Sequence, residues 1–230
     1  MSKPTPDFFN KEAAQKYDER NSKLSRISDC LHFLMGLALK DLPARSRVLC
    51  VGVGTGAEIL SLAQAYPEWT FVALEPSLDM LNVCRERMKN AGLEDRCEFV
   101  HGYVQDLPRT QPFDAALSVL VAHFIKRDER LSFFQHMSSH LRTGGYLVNS
   151  EISFDLNSAE FPMMLKGWEQ VQTMMGATPE SLALLPTVLR ETLTVLPPSE
   201  TEALLRQSGI SLPLRFFQAM MICGWYGKKE

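Results

Sequence analysis

The spacing of apolar residues changes several times along the chain, and each change marks an element. From Phe8 to Lys40 the spacing is helical, in two pieces parted near Asn21 and Ser22. "RVLCVGV" is a continuous apolar run, which suits a parallel strand buried on both faces. "AEILSLAQAY" returns to helical spacing, and Pro67 stops its continuation. "TFVAL" reads as the next strand. "SLDMLNVCRERMKNAG" reads as a helix with Ser77 at its N-cap, Asp79 in its first turn and Gly92 just past its end. "CEFVHG", "DAALSVL" and "GYLVNSEI" read as three more strands, and "RDERLSFFQHMSSHLRTGG" as the helix and glycine turn between the last two. Strands that alternate with helices predict an α/β fold, a Rossmann-like, doubly wound parallel sheet.

The pattern changes after Asp155. From Ser158 to Val195 it is helical and methionine-rich, and strand character returns only in "LRFFQAMMICGWYG". Before that stretch, Ser199 and Glu202 stand at capping-box spacing and Gly209 closes the helix. The expected organisation is one domain over 1–230: N-terminal helices at 8–40, a core of 47–154 and 197–228, and a helical insertion or lid at 155–196.

Composition narrows the partners. A hydrophobic share of 45% and a charged share of 22% are ordinary for a globular enzyme. A net charge of -3 without any basic run argues against nucleic-acid or anionic-membrane binding. "MSKPTPDFFN" lacks a secretory pattern, and the apolar stretches are too short to span a bilayer. Five cysteines with no CxxC pair suit reduced thiols, so a cytoplasmic setting is expected.

The candidate chemistry centres on "VLCVGVGTGAE", where glycines stand between a buried strand and a helix. Backbone N–H groups at such a turn can meet an anion. Gly52, Gly54 and Gly56 give G-x-G-x-G, and with Ala57 the stretch also satisfies the dinucleotide pattern G-x-G-x-x-A. Glu75 ends the next strand, where an acid accepts hydrogen bonds from ribose hydroxyls. NAD and S-adenosylmethionine both carry an adenosine ribose, so these residues alone leave both open. A long helical stretch before the first strand, and no Tyr-x-x-x-Lys pair, disfavour NAD.

With "FVALEPSLDML", "VHGYVQDLP", "FDAALSVLVAHFI" and "LRTGGYLVNSE" following in order, the chain resembles the class I S-adenosylmethionine-dependent methyltransferases. That resemblance implies a seven-stranded sheet with an antiparallel last strand and S-adenosyl-L-methionine as cofactor. It places Gly52, Val53, Gly54 and Gly56 along the amino-acid part of the cofactor, Glu75 on the ribose and Pro76 beside the adenine. Tyr103 stands where the family usually has an acid, Val104 beside the adenine, Val119 where the fourth strand passes the cofactor, and Cys50 replaces a common strand acid. The C-terminal third resembles the carboxy-S-adenosylmethionine synthases of tRNA wobble-uridine modification. Thr187 stands where those enzymes hold a carboxylate-gripping arginine, with Arg190 one turn later. An ordinary methyl donor is therefore expected, with the synthase and a non-catalytic cofactor-binding protein as alternatives.

Methyl transfer from a sulfonium needs alignment and desolvation first, and a base only if the acceptor must lose a proton. Tyr17, as a cover over the cofactor, and His123, as a base, are the catalytic candidates; each could equally be a packed side chain. Glu151 is a weaker candidate, facing an acceptor pocket or solvent. His136 and His140 have metal-compatible spacing, yet without an acid motif they read as a solvated helix face, and no metal is expected. The methionines of the insertion suit a small-molecule acceptor of apolar or aromatic character. A homodimer is an open alternative.

Overall fold

The computed structural model of the chain describes residues 18, 19 and 21–230. Helix α1 (Ser25–Ala38) leads into β1 (Arg47–Val51), α2 (Ala57–Ala65), β2 (Thr70–Glu75), α3 (Leu78–Asn90) and β3 (Cys97–His101). Then come β4 (Phe113–Val119), α4 (Arg127–Ser139) and β5 (Leu141–Ile152). The insertion carries α5 (Phe161–Met174), α6 (Pro179–Ala183) and α7 (Leu185–Thr187), which runs into a π turn at Val188–Thr192. Helix α8 (Pro198–Gln207) and the hairpin β6 (Ile210–Ala219) and β7 (Ile222–Lys229) finish the chain.

The strands form one sheet in the order β3-β2-β1-β4-β5-β7-β6. β1 to β5 pair in parallel, while β7 runs antiparallel to both β5 and β6. The seven-stranded sheet with an antiparallel last strand is thus present. Strand order reverses between β1 and β4, so a crevice opens at their carboxyl ends, the usual ligand position in such sheets.

Period-two alternation sends strand residues to two covered faces. Val48, Cys50, Ala73, Leu117 and Val148 pack under α1, α2 and α3. Leu49, Val51, Leu74, Ala116, Leu147 and Trp225 pack under Phe133, Phe134 and Met137 of α4 and Leu205 of α8. Burying a side chain such as Phe134 contributes roughly 1.5–3 kcal/mol, which is why these faces hold the helices in place. A third cluster joins Phe161, Trp168, Leu185 and Leu189 of the insertion to Leu31 of α1 and to Val119, Leu120 and Ile152 at the strand ends. The insertion is therefore seated over the crevice side of the sheet.

Two local expectations change. The Ser199–Glu202 capping box does not form: α8 starts at Pro198 with no side-chain cap, and Trp225 Nε1 donates to Glu202 at 3.1 Å. A tertiary partner outcompetes the local one. The glycines after α4 lie inside β5, where Gly144 has φ +72° and the β4–β5 register shifts, so they form an irregularity in the strand rather than a turn before it.

Candidate active site

Residues 52–56 reverse the chain between β1 and α2. Gly52, Gly54 and Gly56 have φ of +67°, +54° and +81°, a region that L side chains rarely adopt. Crowding adds to this at two of them. A Cβ on Gly52 would lie 2.6 Å from Val121 Cγ2, and one on Gly56 would lie 2.7 Å from Cys84 Sγ. A Cβ on Gly54 would meet only Met80 Cε, at 3.6 Å, so a ligand can come close to the backbone there.

The turn does not offer the expected row of free N–H groups. Gly52 N and Val53 N both donate to Leu74 O, and Gly56 N donates to Val53 O at 2.9 Å. Gly54 N donates to Glu75 Oε2 at 3.0 Å, and Ser77 N donates to Glu75 Oε1 at 2.9 Å. Val53 is buried with both backbone groups engaged, so it gives the turn its shape rather than a contact. What the turn presents is a close approach to Gly54 beside an anchored carboxylate.

Glu75 is 6% exposed, and burial pushes its carboxyl above the usual range, against the pull of the Ser77 and Gly54 amides. A carboxylate has about four acceptor sites, so with two amides bound it can still take two hydroxyls. That donor-acceptor set fits a ribose diol. Burial raises the Tyr103 phenol, and the nearby Glu75 charge adds to that. Exposed Pro76 follows, its carbonyl 3.0 Å from His101 Nε2. Val104 is buried, and its carbonyl lies 3.4 Å from His140 Nε2. Val119 lies two positions past the Cys50–Leu117 pair, which sets it level with Gly52. Glycines, Glu75, Tyr103 and Val119 are therefore brought to one end of the sheet.

Sequence reasoning missed two groups beneath this turn. Glu58 sits in the first turn of α2, is buried, and is pushed up to about 8 by burial and, more weakly, by Glu75. Thr55 Oγ1 donates to Asp18 Oδ1 at 2.8 Å and accepts from Arg87 Nη1 at 3.1 Å, while Arg87 and Asp18 form an ion pair. This ties the chain before α1 to the glycine turn. Tyr17 itself lies outside the described residues.

The candidate bases are both occupied. His123 is buried, and Ile152 N donates to its Nδ1 at 3.2 Å, which leaves the proton on Nε2. Burial, helped by Arg130, pushes it down to about 3. Glu151 faces neither an acceptor pocket nor solvent. It is fully buried, 2.5 Å from Arg130 Nη1, and it accepts from Thr201 Oγ1 at 2.5 Å. A signal for Arg130 was present in the sequence, since it shares the apolar stripe of Phe133, Phe134 and Met137 on α4. His140 is likewise buried rather than solvated, and the described residues hold no metal-binding cluster. Arg190 donates to Asn157 Oδ1 at 3.1 Å and to Leu156 O at 2.6 Å, beside the Phe161 ring. It is thus committed to holding the insertion, and Thr187 is exposed.

Residues 48–145 match the family described as a methyltransferase domain. A fatty-acid O-methyltransferase of Mycolicibacterium smegmatis is 38% identical over 106 residues, covering 46% of this chain and 36% of that protein. An O-methyltransferase family protein of Burkholderia thailandensis superposes with a TM-score of 0.68 at 13% identity, over 95% of this chain and 60% of that one. An O-methyltransferase family 2 protein of Planctomyces limnophilus, solved with apigenin, gives 0.65 at 16% identity, over 96% and 62%. The chain spans less than two thirds of the length of each of these proteins. The likeness to carboxy-S-adenosylmethionine synthases lies largely beyond residue 145 and is not carried by the family match. Residues 48–145 are thus similar to a methyltransferase domain, and the chain as a whole shares its fold with solved O-methyltransferases.

Proposed function

We propose that this protein transfers a methyl group from S-adenosylmethionine to a small-molecule acceptor whose attacking atom arrives already anionic, such as a carboxylate. The observation that carries the cofactor reading is the anchored Glu75 carboxylate beside the open approach to Gly54. Bound there, the cofactor supplies a methyl group activated on a sulfonium. Gly52 and Gly54 admit its amino-acid part, Glu75 accepts the ribose hydroxyls, and Tyr103, Val104 and Pro76 border the adenine. Val119 and Val121 close the floor and exclude water, which favours a displacement that consumes charge.

The acceptor reading follows from the bases. His123 stays neutral near pH 7 and spends Nδ1 on a backbone amide, and Glu151 is locked to Arg130. An acceptor that needs no proton removed suits that arrangement. The fatty-acid O-methyltransferase relative acts, by its name, on such a carboxylate. The insertion, residues 155–196, is read as the acceptor cover within a single domain, and its methionines suit an apolar tail. No helix among the described residues is long and apolar enough to cross a membrane. Free, mostly buried thiols suit a cytoplasmic setting, and a net charge of -3 suits partners other than nucleic acid or an anionic membrane.

Calorimetry with S-adenosylhomocysteine and with NAD tests the cofactor, and methyl-label transfer to long-chain fatty acids tests the acceptor. Binding of NAD without S-adenosylhomocysteine would sink the cofactor reading. Transfer only to neutral alcohols or amines would sink the acceptor reading.

A further inference from the structure

Arg130 links its own helix to β5, to the turn after β4 and to the insertion, and through Glu151 to α8. From α4 its Nη1 meets Glu151 of β5, and Glu151 in turn accepts from Thr201 of α8. Its Nη2 donates to Ile125 O at 3.2 Å, in the turn after β4, and to Thr194 O at 2.8 Å, on the return leg of the insertion. Thr194 N donates to His123 O at 2.7 Å, so the turn and the insertion are fastened to each other as well. The same turn carries Val121, whose methyl occupies the space a side chain on Gly52 would need. A continuous path therefore runs from the insertion through Thr194, Ile125 and Val121 to the glycine turn.

Stability alone does not account for Arg130. Both it and Glu151 are fully buried, and replacing such a pair by apolar residues is often neutral or stabilising. What the guanidinium supplies is a planar fork that reaches a carboxylate and two carbonyls at once, which an ammonium on a flexible stem does not reproduce.

We propose that Arg130 is a positioning residue which sets the acceptor-covering insertion against the cofactor turn, acting through the Ile125 and Thr194 carbonyls. It touches neither substrate; its role is to keep the two sides of the transfer in register. This rests on the functional reading above. A misplacement of about 1 Å between reacting groups can cost about a hundredfold in rate, so a joint of this kind matters to the reaction.

The test is amide hydrogen exchange with S-adenosylhomocysteine as the probe, which needs no acceptor. In the wild type the probe slows exchange in residues 52–56 and also in 189–196. In the Arg130→Met, Glu151→Leu double variant, protection at 52–56 persists and protection at 189–196 falls about fivefold or more, the scale of ordinary coupling between sites. Arg130→Lys, which keeps the ion pair but loses the fork, behaves like the double variant, and so does Thr194→Pro, which deletes the N–H given to His123. Wild-type coupling in Arg130→Lys or in the double variant overturns the proposal while leaving the functional reading intact. A wild type that does not bind the probe overturns both.

Discussion

Glu58 gives a prediction that follows chiefly from its burial. It lies in the first turn of α2 behind an uncapped left-handed Gly56, and its carboxylate accepts from its own backbone N–H. That bond and the Arg87 charge favour ionisation, but burial outweighs them and carries the group from its ordinary 4.5 to about 8. An acid whose folded value is raised binds more protons folded than unfolded, so stability falls as pH rises between the two values. The contribution is complete below about 4.5 and is lost once pH passes about 8. At about 1.36 kcal/mol per pH unit, the loss across that window is on the order of 4–5 kcal/mol. For a domain of this size, that lowers the melting temperature by roughly 10 °C or more. Glu58→Gln keeps the shape and cannot ionise. Its melting temperature should change far less between pH 5 and pH 9, so that it becomes the more stable protein at the alkaline end. Melting curves measured by circular dichroism across that range decide the matter. Parallel profiles for the two proteins would show that Glu58 is charged throughout, and that its burial is relieved in solution.

The cofactor side yields two further tests. Glu75→Gln turns one acceptor oxygen into a donor facing a backbone N–H, so it should weaken S-adenosylhomocysteine binding tenfold to a hundredfold, roughly 1.4–2.8 kcal/mol, and lower the melting temperature as well; an unchanged Kd by calorimetry would place the cofactor elsewhere. Gly52→Ala places a methyl against Val121 at positive φ, so it should cost about 1–3 kcal/mol and most cofactor binding, with Val121→Ala restoring part of each; if the second substitution restores nothing, backbone strain alone is at work. His123→Asn can still accept from Ile152 N through its side-chain carbonyl, whereas His123→Leu leaves that amide unpaired at about 1–3 kcal/mol. Equal melting temperatures for the two variants would remove the structural reading of His123.

The sheet and its glycine turn were legible because their signals are local. A continuous apolar run, left-handed glycines and a strand-end acid each fix one short piece of backbone. The helix at Ser77 was legible for the same reason, since its side chain accepts from Met80 N three residues on. Long-range pairing was not legible in this way. Glu202 had a local partner in Ser199, and only the fold reveals that Trp225 takes it instead. Arg130 and Glu151 each carry a clue, one on an apolar helix stripe and the other on the same strand face as Leu147, but nothing in the sequence says that they meet. His123 follows β4, in the turn at Ala122–Phe124. Its neutrality rests on burial first and Arg130 second, and its tautomer on a backbone amide of β5, none of which periodicity can show.

These buried groups also constrain how the proposed methyl transfer can be catalysed. A histidine held near 3 is a poor base at neutral pH, and a glutamate fixed between Arg130 and Thr201 cannot turn toward an acceptor without leaving a buried charge unpaired. Breaking such a pair costs about 3–5 kcal/mol, more than its gain as a base would return at an acceptor that is already ionised. General-base help typically contributes about a hundredfold to ten-thousandfold, and an anionic oxygen does not need it. Orientation can exceed that range, provided the two reactants are held rigidly enough. The polar groups behind β4 and β5 tie the insertion to the turn after β4, and Val121 of that turn stands against Gly52. An acceptor with a high pKa would need a base that this frame does not free, so selectivity should follow acceptor acidity more closely than acceptor size.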